Sequence, residues 1–418
     1  MRYVISTSWP LLLGMLFLML GNGMQGTLLG IRGSIENFST FEMSLVMSAY
    51  FVGFFGGSKM APGMIRRVGH IRVFAALGSF ISAILILFPS ITEPWVWMVL
   101  RVAIGFCFSG VYVTAESWLN NAATNETRGK SLSIYLIVQM LGIIAAQGLL
   151  VLADPSGYNL FVISSVLVSI SFAPILLSVK PTPAFATAKP MTLRQLYAVS
   201  PLGCVGMFLL GGIFSAQFGM GAVYASRIGL EISQISLFIA TIYVGAVVLQ
   251  YPIGFLSDRM DRRVLIMAVA VGGAISAYIG VLFGENFQVL LVVGFMVGGL
   301  SNPLYSLLIA YTNDFLELDD MAAASGGMIF INGMGAIAGP LITGWLMDMT
   351  GNGGFWLVIS ALMAILAGYA LYRMTQRAAI AVSETGAYVG VSPSASPIAV
   401  EAAQEWAAEV AEEDEREQ

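Results

Sequence analysis

The chain has 418 residues, 57% of them hydrophobic and 10% charged, and its mean hydropathy is +0.83. So few charges cannot cover the surface of a water-soluble fold of this length, which excludes the ordinary soluble enzymes and binding modules. The formal charge of −5 comes from residues 401–418, with eight acids and one arginine; the remainder carries 18 basic and 16 acidic side chains, or +2.

Apolar runs of ~20 residues, the length of helix that crosses ~30 Å of hydrocarbon, recur along the chain without the alternation of barrel strands. They predict an all-α membrane protein of twelve spans, at about 9–31, 41–61, 71–90, 94–119, 130–152, 158–179, 201–224, 234–256, 264–284, 287–313, 323–347 and 354–374. No cleavable leader is apparent, so the first run is expected to remain as a span, with Asn22 and Gln25 near its midplane. The connection after the second, "PGMIRRVGHIR", carries Arg66 and Arg67.

The fourth span holds Arg101 about two turns, or ~10 Å, inside its end. Arg101, Gly105, Phe108, Tyr112 and Glu116 follow i, i+4, i+7, i+11, i+15 and share one face. A charge in lipid is costly, so Arg101 either serves a function or snorkels outward to a structural partner such as Glu93. Glu116, near the other end of that span, is the one acid expected within reach of a central cavity. It either carries protons or pairs with Arg128 or Lys130.

Gln139 lies in the fifth span and Gln217 in the seventh. After the eighth, "YPIGFLSDRMDRR" packs Asp258, Arg259, Asp261, Arg262 and Arg263 into six residues. Asn302 and Tyr305 in the tenth span, on the face of Gly298, and Asn332 in the eleventh complete the buried polar set. Each such amide or hydroxyl serves either as glue between helices or as a ligand contact. Cys107 and Cys204 lie within spans as small hydrophobes, and His70 is the single histidine, so neither a metal nor another cofactor is expected.

Lysine and arginine set the orientation. With the N-terminus inside, sixteen fall on the inner side and only Arg32 and Arg227 on the outer, which predicts that both termini are cytoplasmic. Shifting the chain by 193 residues places Asn120 on Asn313, Gly142 on Gly335, Tyr50 on Tyr243, Tyr112 on Tyr305, Gly105 on Gly298 and Gln139 on Asn332. At 192, Arg66 and Arg67 fall on Asp258 and Arg259. Two parallel repeats follow, with a binding site expected between them near the midplane. The expected organisation is an N-terminal six-helix bundle over 1–179, a cytoplasmic linker over 180–200, and a C-terminal six-helix bundle over 201–377. A disordered acidic tail over 378–418 completes it.

"GFLSDRMDRR" (Gly254 to Arg263) resembles the loop motif Gly-x-x-x-Asp-Arg-x-Gly-Arg-Arg of the major facilitator superfamily, and "RVAIG" (Arg101 to Gly105) its Arg-x-x-x-Gly motif in helix 4. "GAIAGPLITG" (Gly335 to Gly344) looks like the Gly-Pro motif of drug/proton antiporters, but in the eleventh span rather than the fifth, where "GIIAAQG" stands instead. "APGMIRRVGHIRVF" and "AESWLN" look most like a bacterial YcaD-type branch. The resemblance implies the major facilitator fold, a cavity lined by helices 1, 4, 7 and 10, and loop clusters that latch helix ends in one state. The alternative for Asp258, Arg259, Arg262, Arg263, Arg66 and Arg67 is a topology signal alone.

The expected protein is a multi-pass, monomeric secondary transporter of the bacterial inner membrane, working by alternating access as a symporter or antiporter. A small solute is its partner, with protons or another ion coupled; neither nucleic acid nor an enzymatic reaction is expected. No nucleotide-binding loop is present in the sequence. Two transport readings stand open, a small organic anion bound at Arg101 and proton-driven export of amphipathic compounds. A solute sensor on the same scaffold is the rival from outside transport.

Overall fold

The computed structural model describes residues 2–122, 125–176, 191–316, 318–381, 385–386, 388–391, 395–396, 399–400 and 403. The described residues are helical with no strand, and they form the twelve-helix, two-half architecture of the major facilitator fold. The helices of the first half are α1 (Arg2–Ile35), α2 (Thr40–Val68), α3 (His70–Ser90), α4 (Pro94–Ala122), α5 (Asn125–Leu149) and α6 (Asn159–Ser171). In the second half α7 runs Pro201–Ser215, through a π-helical turn at Ala216–Met220, to Gly221–Arg227. It is followed by α8 (Ile232–Ser257), α9 (Arg262–Phe283), α10 (Phe287–Asn313), α11 (Leu318–Thr350) and α12 (Gly354–Gln376). Between the halves a short helix, Leu193–Val199, is capped by Thr192 and Gln195. Lys180, Lys189 and the acidic run 404–418 lie outside the described residues.

Among the described residues, and taking α6 on through its continuation to Leu176, eleven of the twelve are apolar and long enough to cross a membrane unaided. The exception, α2, is 29 residues long but carries Glu42, Lys59, Arg66 and Arg67 among many glycines and serines. It can be less apolar because it packs between α4 and α11 and faces the cavity.

Glycine sets how closely the helices approach, since in lipid contact between helices rests on backbone proximity rather than hydrophobic exclusion. A Cβ on Gly53 would fall 1.8 Å from the Val102 carbonyl oxygen, and one on Gly105 2.0 Å from that of Tyr50, so α2 and α4 touch backbone to backbone. In the second half the corresponding pair is Gly245, 2.0 Å from the Phe295 oxygen, and Gly298, 2.1 Å from the Ile242 oxygen. The offsets are 192 (53 to 245) and 193 (105 to 298), so one contact is built twice.

The halves meet at the end of the bundle remote from the 258–263 loop. Arg227 at the end of α7 donates to Thr40 on α2 and to Asp348 on α11, the latter at 3.2 Å. Ser48 Oγ donates to the Ile337 carbonyl at 2.6 Å, and Ser236 on α8 to the Gln147 carbonyl on α5. Nearer the middle, Phe55 and Phe330 meet edge to face at 4.9 Å. At the 258–263 end the described residues of the C-terminal segment lie between the halves. Tyr388, Val391, Ser396 and Val400 touch the helices, and the last three are buried. The expectation of a solvated tail does not describe these residues.

The doubled glycine contact makes a direct prediction. Gly105→Ala and Gly298→Ala should each destabilise the purified protein by about 1–3 kcal/mol, because a Cβ forces two backbones apart. Thermal unfolding in detergent reads this as a lowered midpoint; an unchanged midpoint in both variants would show the helices free to separate.

Candidate functional site

A cavity of about 380 Å³ lies between the halves, lined from both by α1, α2, α4, α5, α7, α8, α10 and α11. Its two charged wall residues are Arg101 and Lys59, and no acid lines it among the described residues. Aromatic rings are the largest part of the rest, with amides, aliphatic side chains such as Met140, Ile143, Ile239 and Ile329, and glycines: Tyr243 stacks on Phe218 at 4.7 Å and 17°, and Tyr50 faces Phe54.

Arg101 is the polar centre of this wall. It is only 4% exposed, its Nη1 donates to Gln25 Oε1 at 2.8 Å, and its Nη2 to the Met47 sulfur at 3.4 Å. The guanidinium lies 4.6 Å from the Tyr50 ring centre, a cation–π distance. Its Nε has no partner, and no carboxylate pairs with it among the described residues. Glu93 is exposed at the start of α4, so the snorkelling alternative has no support in the geometry. Gln25 Nε2 donates to Asn22 Oδ1 at 3.3 Å, and Asn22 Nδ2 to the Tyr112 hydroxyl at 2.7 Å, which in turn donates to the Met19 sulfur at 3.5 Å. Arg101, Gln25, Asn22 and Tyr112 are thus one chain of side chains, all on the cavity wall.

The other expected contacts divide. Asn302 and Asn332 line the cavity, but their amides donate to the carbonyls of Gly298 at 3.1 Å and Met207 at 3.0 Å. Gln217 is buried off the cavity and exchanges hydrogen bonds with Ser301 at 3.2 and 3.3 Å, tying α7 to α10. It belongs to the π-helical turn, whose extra residue rotates it away from a phase counted at 3.6 residues per turn. Tyr305 and Gln139 are likewise buried away from the lining. Arg32, expected on the outer side, is held by Glu36 at 2.6 Å and by the Pro155 carbonyl at 3.0 Å and does not line the cavity.

Glu116 is fully buried below the cavity. Its Oε1 accepts from the Tyr135 hydroxyl at 3.2 Å and its Oε2 from the Ser396 backbone N–H at 2.6 Å. Lys130 is exposed, and no ion pair joins it to Glu116 among the described residues; the Arg128 side chain lies outside them.

The 258–263 loop forms a clamp centred on Arg262, which is 3% exposed. Arg262 pairs with Asp314 just past α10, donates from Nε to Ser257 at 3.1 Å, and stands 3.7 Å from Asp258. Burial pushes the Asp314 carboxyl up to about 6, against the pull of Arg262. Arg263 pairs with Asp261 at 2.7 Å, and Arg259 lies on the Phe255 ring at 3.6 Å. In the first half Arg66 and Arg67 are exposed and form no ion pair among the described residues. There His70, which corresponds to Arg262 at a shift of 192, hydrogen-bonds Ser117 at 2.9 Å. Ser117 corresponds at 193 to Ala310, whose carbonyl accepts from Arg262 at 3.3 Å. The same joint is ionic in one half and neutral in the other.

Four residues of these sites stand outside the sequence expectation. Tyr50 and Tyr243 were visible only as landmarks of the repeat, Lys59 only as one of the inner-side basic residues, and Asp314 was not singled out.

Two pseudo-symmetric six-helix halves around a largely aromatic cavity with Arg101 in its wall, closed at one end, define a membrane solute transporter. The chain belongs to the Major Facilitator Superfamily, whose family model matches residues 11–231 and 202–397. It is 26% identical over 309 residues to the MFS-type transporter YfkF of Bacillus subtilis, covering 71% of this chain and 78% of that one. To the MFS-type transporter YcaD of Escherichia fergusonii it is 23% identical over 357 residues, covering 85% and 92%. Among solved structures it resembles the nucleoside transporter NupG, with a TM-score of 0.74 and 16% identity over 89% of this chain and 100% of that one.

The clamp geometry predicts unequal roles for its two acids. Asp314→Asn should cost about 3–5 kcal/mol by removing the close, buried counter-ion of Arg262 and leaving only the longer contact to Asp258, whereas Asp258→Asn, at a more exposed and longer contact, should cost under about 1 kcal/mol. Thermal unfolding of both variants checks the order, and a reversed order would place the clamp on Asp258.

Proposed function

We propose that this multi-pass membrane protein is a secondary transporter that moves a small organic anion by alternating access, with the Arg101 cavity as its binding site. The observation that carries this reading is a buried guanidinium on a cavity wall that contains a second cation, Lys59, and no acid among the described residues. A charge so placed is costly unless something negative shares the cavity during the cycle. Arg101 presents a fork suited to a carboxylate, Gln25 fixes its orientation, and Asn22 and Tyr112 offer further hydrogen bonds. The aromatic wall of Tyr50, Phe218 and Tyr243 suits a planar or apolar body attached to the anionic group.

The same aromatic wall supports a second reading, proton-driven export of amphipathic compounds, in which Arg101 is structural. Glu116 is the proton carrier in either case, being an acid buried within α4 with only neutral hydrogen-bond donors. The excess of basic side chains near the 258–263 end orients that end, with both termini, to the cytoplasm of a bacterial inner membrane. The closed end then faces outward and the cavity inward. The protein acts as a monomer, with no cofactor and no enzymatic step. NupG, at 16% identity, contributes the fold to this reading and not the solute.

Thermal shift against organic acids, sugars, amino acids and amphipathic drugs identifies the ligand, because a bound solute stabilises the state that holds it. For an anion found this way, Arg101→Ala should weaken binding by about 2–5 kcal/mol, at least tenfold, and Arg101→Lys should keep part of it. Unchanged affinity in a stable Arg101→Ala protein would leave the export reading standing.

Glu116→Gln separates coupling from binding. The variant should still exchange labelled solute across liposomes but lose accumulation driven by a pH gradient. Retained accumulation removes Glu116 from the proton path.

A further inference from the structure

The C-terminal segment has a built seat between the two halves. The Gly386 N–H donates to Asp314 Oδ1 at 3.2 Å, while its carbonyl accepts from Arg262. The Tyr388 N–H donates to Asp258 Oδ1 at 2.8 Å, and its hydroxyl accepts from Gln250 Nε2 at 2.8 Å. The Ser306 hydroxyl serves both polar groups of one backbone residue, accepting from the Val391 N–H at 2.9 Å and donating to its carbonyl at 3.3 Å. The Ser396 N–H then donates to Glu116 at 2.6 Å. Asp314, Arg262, Asp258, Gln250 and Ser306 belong to the second half, Glu116 to the first. The described residues of the segment therefore bond to both halves.

Sequence and packing agree with this seat. Residues 385–400 contain no charged side chain and are bracketed by Glu384 and Glu401. Val391, Ala395, Val400 and Ala403 are 8, 4, 0 and 3% exposed, as apolar residues are when a helical surface covers them. Glycine makes the fit on both sides: the Tyr388 ring lies 2.7 Å from where a Cβ of Gly254 would be, and Gln250 Nε2 lies 2.9 Å from that of Gly390. A linker that merely trails into water needs none of these partners, whereas a buried backbone must satisfy its polar groups, and side chains of both halves do so here.

We propose that the described residues of the C-terminal segment, 385–386, 388–391, 395–396, 399–400 and 403, form an internal plug that docks in the vestibule at the 258–263 end, holds the halves apart there, and withdraws before they can rock closed. Alternating access requires that end to narrow. A segment bonded to Glu116 on one wall and to Ser306 and Gln250 on the other occupies the space the walls must cross. It also covers Glu116, so docking closes the approach to that carboxyl from the vestibule. The plug depends on neither the identity of the solute nor the role of Arg101.

The test uses purified protein in detergent, with Cys107 and Cys204 replaced by alanine, so neither membrane orientation nor a substrate is needed. Val400→Cys should react with a water-soluble maleimide at least about tenfold more slowly than Ala378→Cys, an exposed position of the same segment, because reaction must wait for undocking. Adding Tyr388→Ala and Val391→Asp should unseat the segment and raise the Val400→Cys rate towards that of Ala378→Cys. Spin labels on the exposed positions 67 and 259, one in each half, should show a new shorter-distance population when residues 381–418 are removed. Equal labelling rates at the two cysteines, or a distance distribution unchanged by the truncation, overturns the proposal.

Discussion

A guanidinium with no carboxylate partner among the described residues, held inside a bundle of apolar helices, is the constraint around which this site is organised. Moving such a charge from water into the bilayer centre costs at least ~2.5–3.5 kcal/mol. Arg101 lowers that cost through Gln25, the Tyr50 ring and the Met47 sulfur. None of these neutralises it. The positions of Asn22, Gln25 and Tyr112 follow from this, as each link orients the next and the chain ends on a sulfur rather than an acid. Gly105 lets α4 press against α2 closely enough for Arg101 and Tyr50 to meet.

Much of the architecture was legible in the sequence because lipid permits so few solutions. Apolar runs of the right length must be helices, and the offset of 192 to 193 residues forced two similar halves. The amide chain of α1 and the face of α4 were equally legible, since a straight helix preserves its phase. Gln217 was not: a π-helical turn breaks the 3.6-residue count on which its face had been read. Asp314 escaped because its role depends on Arg262 arriving from a different connection, a proximity that hydropathy does not encode. Tyr50 and Tyr243 were hidden by chemistry, since aromatic residues on a membrane helix face lipid as readily as a cavity.

The C-terminal segment shows a different limit. Its alanines, serines, prolines and glycines carry the composition of a linker, and composition alone cannot distinguish a chain that wanders from one that fits a groove. What distinguishes them is the receiving surface. Gly254, Ser306 and Gln250 form part of the second-half helices, and nothing in their own sequence context marks them as a seat.

The neutral joint between His70 and Ser117, opposite the ionic one between Arg262 and Asp314, makes the two repeats mechanically unlike. A hydrogen bond between neutral side chains yields to a smaller displacement than a buried ion pair with several further hydrogen bonds, which resists until it breaks as a unit. Under the same load the first half would flex at its loop end while the second swung as a stiff lever. A machine of two matching parts would then turn about an off-centre pivot, with most of its give on one side.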